Sequence, residues 1–345
     1  MDTLETLLIY IPCHEDYRGA FVQLDRINSV RSRVMSIGST GFKIATCVSI
    51  NCNSIPQEIL DELSQKSDEL IDFGREINGD ANINLGFLHG LRTRSDFLWI
   101  LSANDLLRIE AIPHIMSEFA SKDQPDVVVG SRGDTLGLFQ FETILGSNLP
   151  ELAFGLISSV VYRTSSINSV AHLGLQLSWT GWGQLAVLEA ACIQNTNLKV
   201  FAIREELMHE RSRYPDQEIW KYREGNWLKY SHSFPGLPVL ISLIYASNER
   251  RARELVEAWI LRMWSKRNFF LRLRADEVRV TPNNRAIHSY QSSWSRLLLP
   301  NAIRLSRIQY RILFFLGRLV PDVRFFLRFK IFRSITKKRL ELRDR

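Results

Sequence analysis

The chain has few cysteines. Its 345 residues include only four, Cys13, Cys47, Cys52 and Cys192. Their spacing with histidine makes no zinc motif, and four thiols are too few for the disulfide framework of a small secreted scaffold. A basic leader is also missing at the start, where Met1 is followed by Asp2 and Glu5. We therefore expect a protein of the reducing cytoplasm.

A long hydrophobic run is absent as well. Two stretches without charge, Thr164–Leu188 and Ser231–Asn248, come nearest to a membrane span. The first is rich in Ser, Asn, Gln and Gly. The apolar part of the second, Pro238–Ala246, has about half of the roughly 20 residues that a crossing helix needs. We expect a peripheral rather than an integral membrane protein.

Negative charge is scarce in the last part of the chain. Residues 1–250 carry 21 Lys and Arg against 30 Asp and Glu, whereas residues 251–345 carry 23 against 7. The net charge of +7 thus combines an acidic body of −9 with a basic tail of +16. Such a tail favours an anionic partner, either phospholipid headgroups or nucleic acid. The body is acidic and the tail lacks aromatics interleaved with glycines, so we expect no nucleic-acid partner.

The basic tail has an amphipathic pattern. Apolar residues return at three- and four-residue steps from Ile303 to Phe332, with arginines between them and Pro321 as an interruption. This pattern is typical of interfacial helices, which bury Phe and Leu among acyl chains while arginines contact anionic headgroups. A helix packed on the body with a solvated basic face is the alternative. We place the boundary near residue 236, between an α/β body (1–236) and a helical, membrane-associating region (237–345).

Apolar, β-branched runs alternate with helical stretches in the body, which predicts a mostly parallel sheet covered by helices. The predicted strands are Leu7–Pro12, Lys43–Ile50, Glu69–Phe73, Phe97–Leu101, Asp126–Val129, Leu156–Tyr162 and Val200–Ile203. The predicted helices are Phe21–Val34, Pro56–Gln65, Asn82–Thr93, Ile109–Ser121 and Gln184–Cys192. A helical zone is predicted beyond Pro238, with Asn248–Arg274 rich in Arg, Trp, Phe and Leu. Such alternation brings the loops after the strands to the carboxyl edge of the sheet, where open α/β folds bind ligands.

Polar residues follow the strand Phe97–Leu101. Ser102, Asn104 and Asp105 offer hard oxygen ligands, which a divalent cation needs when it bridges a strand end to phosphate oxygens. Asn and Asp are equally the residue types that cap a helix or form a turn. The residues alone leave both interpretations open.

Four segments extend this pattern along the chain. They are Ile11-Pro12-Cys13-His14 after the first strand, Asn51-Cys52-Asn53-Ser54 after the second, the lead into a helix from Asn78-Gly79 to Gly86, and WILSANDLL at 99–107. Their order and spacing resemble those in the nucleotide-binding half of the inverting family-2 glycosyltransferases, in the bacterial surface-polysaccharide branch. The resemblance covers roughly residues 5–215 and implies a GT-A fold, a Rossmann-like mixed sheet flanked by helices.

The resemblance also implies a donor site for a nucleoside diphosphate sugar. In such a site Asp105 binds a divalent cation, Mn²⁺ or Mg²⁺, and His209, after a late strand, is a second metal ligand. The implied donor-binding residues are Pro12, Cys13, His14, Asn51, Asn53, Asn82, Ser102 and Asn104. A plain surface or core histidine is the alternative for His209.

Two further segments, FGLISSVVYR at 154–163 and WTGWGQ at 179–184, resemble the acceptor half of that family. Trp179, Trp182 and Gln184 are the implied acceptor-binding residues, because aromatic faces pack against pyranose rings. Core packing is the alternative. An inverting transfer needs a carboxylate near the acceptor hydroxyl, and Glu189 is the only acid in the interval 152–204. Glu189 is therefore the predicted catalytic base.

Acids typical of the family are replaced at two places. Asn51 and Asn53 stand at the end of the second strand, and Ala103 and Asn104 stand in the metal motif. The leading hypothesis is a hexosyl- or related transferase that moves a monosaccharide to a glycan or polyprenyl-linked acceptor in polysaccharide synthesis, on the inner face of the cell membrane. The second hypothesis is a catalytically degenerate GT-A scaffold or partner in a glycan-assembly complex.

Overall fold

The computed structural model of the chain describes residues 4–13, 17–37, 42–103, 105–131, 135–147, 154–204, 207–209, 237 and 239–265. By its internal contacts the chain divides into two compact units, Met1–Glu218 and Ile219–Arg345. The boundary predicted near residue 236 and the amphipathic tail after residue 300 lie outside the described residues. Both stay predictions.

The sheet-forming unit alternates strands and helices. Its strands are β1 (Glu5–Cys13), β2 (Phe42–Ile50), β3 (Glu69–Asp72), β4 (Phe97–Ile100), β5 (Leu106–Leu107), β6 (Val127–Gly130), β7 (Gly137–Phe141), β8 (Val160–Arg163), β9 (Leu198–Ile203) and β10 (Met208–His209). Its helices are α1 (Tyr17–Ile37), α2 (Gln57–Lys66), α3 (Gly79–Arg92), α4 (Ala111–Phe119), α5 (Thr164–Ile167), α6 (Ala171–Gln176) and α7 (Gly183–Gln194). Each long apolar run of the sequence has therefore formed the strand predicted for it, apart from boundaries.

Eight strands form one mixed sheet in the order β3-β2-β1-β4-β8-β6-β9-β7. The pairs β1–β2, β2–β3, β1–β4 and β6–β9 are parallel. β8 runs antiparallel to β4 and β6, and β7 runs antiparallel to β9. β1 is paired with β2 over its whole length, from Glu5↔Phe42 to Cys13↔Ile50. The predicted fold class is confirmed as a mixed α/β sheet flanked by helices.

The helices α1 and α3 cover opposite faces of this sheet. Ile9 and Ile11 of β1 belong to a buried cluster that includes Leu24 of α1. Tyr10 points the other way, because side chains alternate along a strand. A Cβ added to Gly86 of α3 would lie 2.7 Å from the Tyr10 ring, so α3 packs directly on β1 at this glycine.

One predicted strand begins later than expected. The sequence predicts a strand over Leu156–Tyr162, but residues Ile157–Ser159 form a 3₁₀ turn and β8 begins at Val160. The cause is that Ser158 bonds outside the ladder. Its carbonyl accepts the indole N–H of Trp99 at 2.9 Å, and its hydroxyl donates to Asp105 at 2.7 Å.

The described part of the second unit is helical. Residues 239–244 form α8, and α9 (Glu249–Ser265) confirms a helix within the zone predicted beyond Pro238. Asn248 caps α9, since its side-chain oxygen accepts the backbone N–H of Arg251 at 3.0 Å. Among the described residues, no helix is long and apolar enough to cross a membrane.

Candidate functional site

Asn51 holds the loop after β2 at the carboxyl edge of the sheet. Its backbone N–H donates to the carbonyl of Cys13 at 2.9 Å. Its side-chain amide donates to the carbonyl of Ile77 at 2.7 Å, and its side-chain oxygen accepts the N–H of Ile77. Asn51 is completely buried. Asn51, a predicted donor-binding residue, thus fixes the chain segment that leads into α3.

Two further asparagines hold the chain between β2 and α3. The side-chain oxygen of Asn53 accepts the backbone N–H of Glu76 at 3.0 Å, and Asn53 is exposed. Asn78 caps α3, since its side-chain oxygen accepts the N–H groups of Asp80 and Ala81 at 2.9 and 3.1 Å. The exposed Asn53 and the first turn of α3 therefore face solvent together beside β2.

Asn82 ties three elements together below this edge. Its oxygen accepts hydrogen bonds from the hydroxyls of Ser49 at 2.5 Å and Tyr10 at 3.3 Å. Its amide donates to the carbonyls of Cys13 and Ser49, both at 3.4 Å. Burial raises the pKa of the Tyr10 phenol, which stays a neutral donor. Asn82 is 2% exposed, so these contacts give it a positioning role between β1, β2 and α3.

The end of β1 lies next to these asparagines. Pro12 is half-buried, and Cys13 is fully buried with its carbonyl accepting from Asn51 and Asn82. His14 lies outside the described residues. Of the predicted donor-binding residues at the end of β1, the described ones therefore offer a ligand their backbone and the Pro12 ring rather than the Cys13 thiol.

Asp105 is held by a serine from the other half of the sheet. The hydroxyl of Ser158 donates to Asp105 Oδ2 at 2.7 Å and accepts the backbone N–H of Ser102 at 2.9 Å. The N–H of Asp105 donates to the carbonyl of Ser102 at 3.1 Å. Asp105 itself is half-buried, and Asn104 lies outside the described residues. Ser158 thus fixes the direction of the Asp105 carboxylate, and the Asp105 N–H closes a turn on Ser102.

The helix α1 supports the same loop from the other side. The buried amide of Gln23 donates to the carbonyl of Ser102 at 3.4 Å and accepts the N–H of Leu107 at 3.1 Å. A Cβ on Gly19 would lie 2.1 Å from the carbonyl oxygen of Ala103, so only glycine allows this approach. Sequence reasoning missed Ser158, Gln23 and Gly19, because no local pattern marks a residue whose partner is distant in the chain.

The late histidine is brought beside this loop. β10 pairs antiparallel with β5, and His209 is the register partner of Leu106, directly after Asp105. The backbone N–H of Arg108 also donates to the carbonyl of Leu207 at 3.1 Å. Opposite residues of an antiparallel pair have Cα atoms about 4.5–5.5 Å apart. The chain positions of the two predicted metal ligands therefore lie close together, although the His209 side chain is outside the description.

The WTGWGQ turn packs on the segment before β8. Gln184 donates to the carbonyl of Gly155 at 3.4 Å, and a Cβ on Gly155 would lie 3.4 Å from the Trp182 ring. Trp179 is 49% exposed, so the indole face is available to a ligand. Gly181 has φ of +74°, a conformation that favours glycine.

One short segment joins the two halves of the site. Gly155 contacts Trp182 and Gln184, and Ser158 bonds to Asp105. Three residue steps span at most about 11 Å. The implied acceptor turn and the implied metal carboxylate are therefore joined by a segment that spans at most about 11 Å.

Glu189 lies further along α7, beyond the WTGWGQ turn. It is completely buried. One oxygen accepts the hydroxyl of Thr143 at 2.5 Å, and the other accepts the backbone N–H groups of Ile144 and Leu145 at 2.7 and 3.0 Å. These contacts make the carboxylate the anchor of the 143–145 turn. Its predicted role as catalytic base stays a prediction, and the turn has to open before an acceptor hydroxyl reaches it.

Comparisons with known proteins identify no family. No protein-family profile matches this chain, and no curated protein matches it by sequence. The fold does resemble solved structures. A crystal structure of S. aureus TarS 1–349 in complex with UDP-GlcNAc is similar over 80% of this chain and 82% of that chain, at 10% identity and a TM-score of 0.48.

Two other solved structures show the same weak likeness. A mannosyltransferase from Pyrobaculum calidifontis in complex with GDP-Man and Mn²⁺ is similar over 92% of this chain and 87% of that chain, at 10% identity and a TM-score of 0.41. A 4-diphosphocytidyl-2C-methyl-D-erythritol synthase is similar over 62% and 96%, at 11% identity and a TM-score of 0.35. All three scores lie below 0.5, so the roles of residues in this chain rest on its own contacts.

Proposed function

We propose that the chain is a glycosyltransferase that moves a monosaccharide from a nucleoside diphosphate sugar to a glycan or polyprenyl-linked acceptor. The observation that carries the proposal is the segment 155–158, which contacts the WTGWGQ turn at one end and Asp105 at the other. A transferase needs a diphosphate-binding carboxylate and a sugar platform on one side of the molecule, and this segment joins the two candidates.

The loop after β4 fits a divalent cation, Mn²⁺ or Mg²⁺. Such cations prefer oxygen ligands, and Asp105 offers a carboxylate fixed by Ser158 at the sheet edge. His209, paired across from Leu106, is the proposed second ligand. When bound, the cation offsets the charge on the departing diphosphate. A single carboxylate predicts weak, cation-dependent donor binding.

The remaining residues have binding and positioning roles in this scheme. The nucleoside lies beside Asn53 and the first turn of α3, where the Asn51 and Asn78 side chains set the backbone. The exposed face of Trp179 packs on a sugar ring. An inverting transfer also needs a base within hydrogen-bond reach of the acceptor hydroxyl, and Glu189 is our candidate for it.

A second candidate function is favoured by the contacts of Glu189. Its carboxylate is buried and accepts three hydrogen bonds from Thr143, Ile144 and Leu145, which suits a structural anchor. Without a base on this side, the fold binds donors but does not turn them over. The chain is then a GT-A scaffold or partner in a glycan-assembly complex.

Nucleotide binding tests the proposed function most directly. Purified protein is titrated with common nucleoside diphosphates, with and without Mn²⁺, and the wild type is compared with Asp105→Ala. We expect Mn²⁺ to increase affinity in the wild type and to have no effect in the variant. Asp61→Ala, which removes an exposed carboxylate of α2, is the matched control and keeps the Mn²⁺ effect.

Transfer assays separate the two candidates. Cation-dependent donor binding together with transfer to lipid-linked acceptors supports the enzyme, and binding without transfer supports the scaffold. Equal affinity with and without metal in the wild type, or in Asp105→Ala and the wild type, contradicts the donor site. Asp105 is then a turn residue only.

A further inference from the structure

A cysteine, a glutamate and a histidine meet on the α3 side of the sheet, apart from the site described above. Cys47 of β2 is the register partner of Glu69 of β3, and His89 of α3 packs over both. The Cys47 thiol, a Glu69 carboxylate oxygen and a His89 ring nitrogen lie within 4.8 Å of one another. No sequence motif predicts this group, because each of the three residues comes from a different element.

His89 directs a buried nitrogen into this group. The residue is 6% exposed, and its Nε2 lies 3.2 Å from Glu69 Oε2 without the geometry of a hydrogen bond. Its Nδ1 faces the Arg92 guanidinium at 3.2 Å. Nε2 and the Glu69 carboxylate therefore face each other at ion-pair distance, as two ligands of one ion would.

The three donors match one class of metal ion. Thiolate, imidazole and carboxylate together are the ligand types of zinc, whereas Mg²⁺ and Mn²⁺ prefer oxygen ligands alone. Zinc–ligand distances of about 2.0–2.3 Å place two ligands of a tetrahedral ion roughly 3.5 Å apart. His89 Nε2 and Glu69 Oε2 are already 3.2 Å apart, so only the more widely separated atoms, which lie up to 4.8 Å apart, have to approach by roughly 1 Å. The Glu69 side chain is 37% exposed, so its rotation supplies that movement and opens a path from solvent.

We propose that Cys47, Glu69 and His89 form a zinc site that ties β2, β3 and α3 together. With three protein ligands, the fourth position of a tetrahedral ion remains for water. The site lies on β2, which Asn51 directly follows, and on α3, which carries Asn82, so a bound ion stabilises the elements next to those asparagines. This inference is independent of the proposed transferase activity.

The ionisation of the ligands sets the pH dependence of the site. Burial raises the pKa of the Cys47 thiol to about 12, with the Glu69 carboxylate adding to the rise and Arg92 opposing it. Zinc has to displace this proton, so its affinity increases with pH. Burial lowers the pKa of His89, which Glu69 opposes.

Arg92 is the competitor of the metal. Its guanidinium pairs with Glu69 and donates toward His89 Nδ1, which leaves the ring proton on Nε2, the ligand atom. A bound dication also repels the arginine charge. The Arg92 side chain is 62% exposed, so it can turn to solvent. Arg92→Gln should therefore bind zinc more tightly than the wild type.

Zinc titration of the full-length, metal-free protein against a chelator is the test. We expect one equivalent to bind, the melting temperature to rise, and Co²⁺ in place of zinc to give a thiolate charge-transfer band. Loss of a residue that only hydrogen-bonds to a metal ligand lowers metal affinity by about 10- to 100-fold. Cys47→Ser and His89→Gln, which remove ligands, should lower it by about 100-fold or more.

Three controls keep the result specific. Cys52→Ser and Cys192→Ser each remove one thiol outside the group, half-exposed and buried respectively, and should bind zinc as the wild type does. Asp105→Ala should also keep zinc binding, which separates this site from the donor site. Zinc binding that is equal in Cys47→Ser and the wild type, or absent from the wild type, overturns the proposal. If the ligand variants do not fold, a wild-type cobalt spectrum without a thiolate band, or weaker binding by Arg92→Gln, overturns it.

Discussion

The hydroxyl of Ser158 decides where the Asp105 carboxylate points. It donates to Asp105 at 2.7 Å while accepting the backbone N–H of Ser102 at 2.9 Å. Ser158→Ala removes a hydrogen bond to a charged group, worth about 1.5–3 kcal/mol. We expect roughly a tenfold loss of Mn²⁺-dependent nucleoside diphosphate affinity, measured by calorimetry. Ser159→Ala, the neighbouring buried serine, is the control, and an equal loss in both variants contradicts a specific role for Ser158.

Glu189 has a structural contribution that can be measured without any substrate. Glu189→Ala leaves the N–H groups of Ile144 and Leu145 without their acceptor, and we expect unfolding free energy to fall by about 2–5 kcal/mol. Glu189→Gln keeps one oxygen for those N–H groups, so a loss of about 1–2 kcal/mol is expected. Urea denaturation measures both. If the structural role is the only one, transfer by folded Glu189→Gln equals that of the wild type, whereas a base role predicts a loss of about a hundred- to ten-thousand-fold.

The contact between α1, β2 and the start of β3 depends on one carboxylate. Burial of Asp68 raises its pKa, but the N–H and hydroxyl of Thr46 and the guanidinium of Arg31 outweigh this, so the pKa lies below its usual value. A lowered pKa in the folded state adds stability above the unfolded pKa, and that stability is lost as pH falls through the folded pKa. Asp68→Asn should therefore be less stable than the wild type at pH 7, and the difference should shrink below about pH 4. A difference that is constant from pH 7 to pH 2 contradicts the assignment.

The packing of α7 against α3 and α6 requires a glycine. A Cβ on Gly183 would lie 2.4 Å from the carbonyl oxygen of Gly174 and 2.6 Å from the Asn84 amide nitrogen. Gly183→Ala is expected to lower unfolding free energy by about 1–3 kcal/mol and to displace the WTGWGQ turn. Gly79→Ala is the matched control, since no atom lies within 4 Å of its Cβ position and alanine favours a helix. Equal stability of the two variants in thermal denaturation contradicts the close approach.

Elements with a strong apolar run were predictable, and those shaped by a distant partner were not. FLWI at β4 and VVVG at β6 are buried throughout, which an uninterrupted apolar run indicates. β7, GLFQF, alternates between half-buried and exposed residues at the sheet edge before its buried last residue, Phe141, and its weak pattern was missed. The position of Asp105 after β4 was predictable, but the hydroxyl of Ser158 was not, because it reaches Asp105 only after β8 inserts beside β4.

The whole chain combines an acidic body with a basic end, −9 over residues 1–250 and +16 over residues 251–345. Most of the positive part lies outside the described residues, and its association with a membrane is predicted from charge and apolar spacing. Attraction between arginines and anionic headgroups depends on charge, whereas packing of the tail on the body does not require lipid. The two alternatives therefore predict different behaviour with vesicles of different charge.

We expect the full-length protein to sediment with vesicles containing anionic lipid and not with neutral vesicles. Changing Arg304, Arg307, Arg311 and Arg318 to Gln should release most of the protein from the anionic vesicles. The same change at the exposed Arg33, Arg75, Arg94 and Arg204 of the body keeps the net charge equal to that of the tail variant and should have little effect. The Debye length falls from about 8 Å at 0.15 M salt to about 3 Å at 1 M, so binding should weaken over that range. Sedimentation that is equal on neutral vesicles at high salt shows that the arginines do not matter, and no sedimentation at all favours a tail packed on protein.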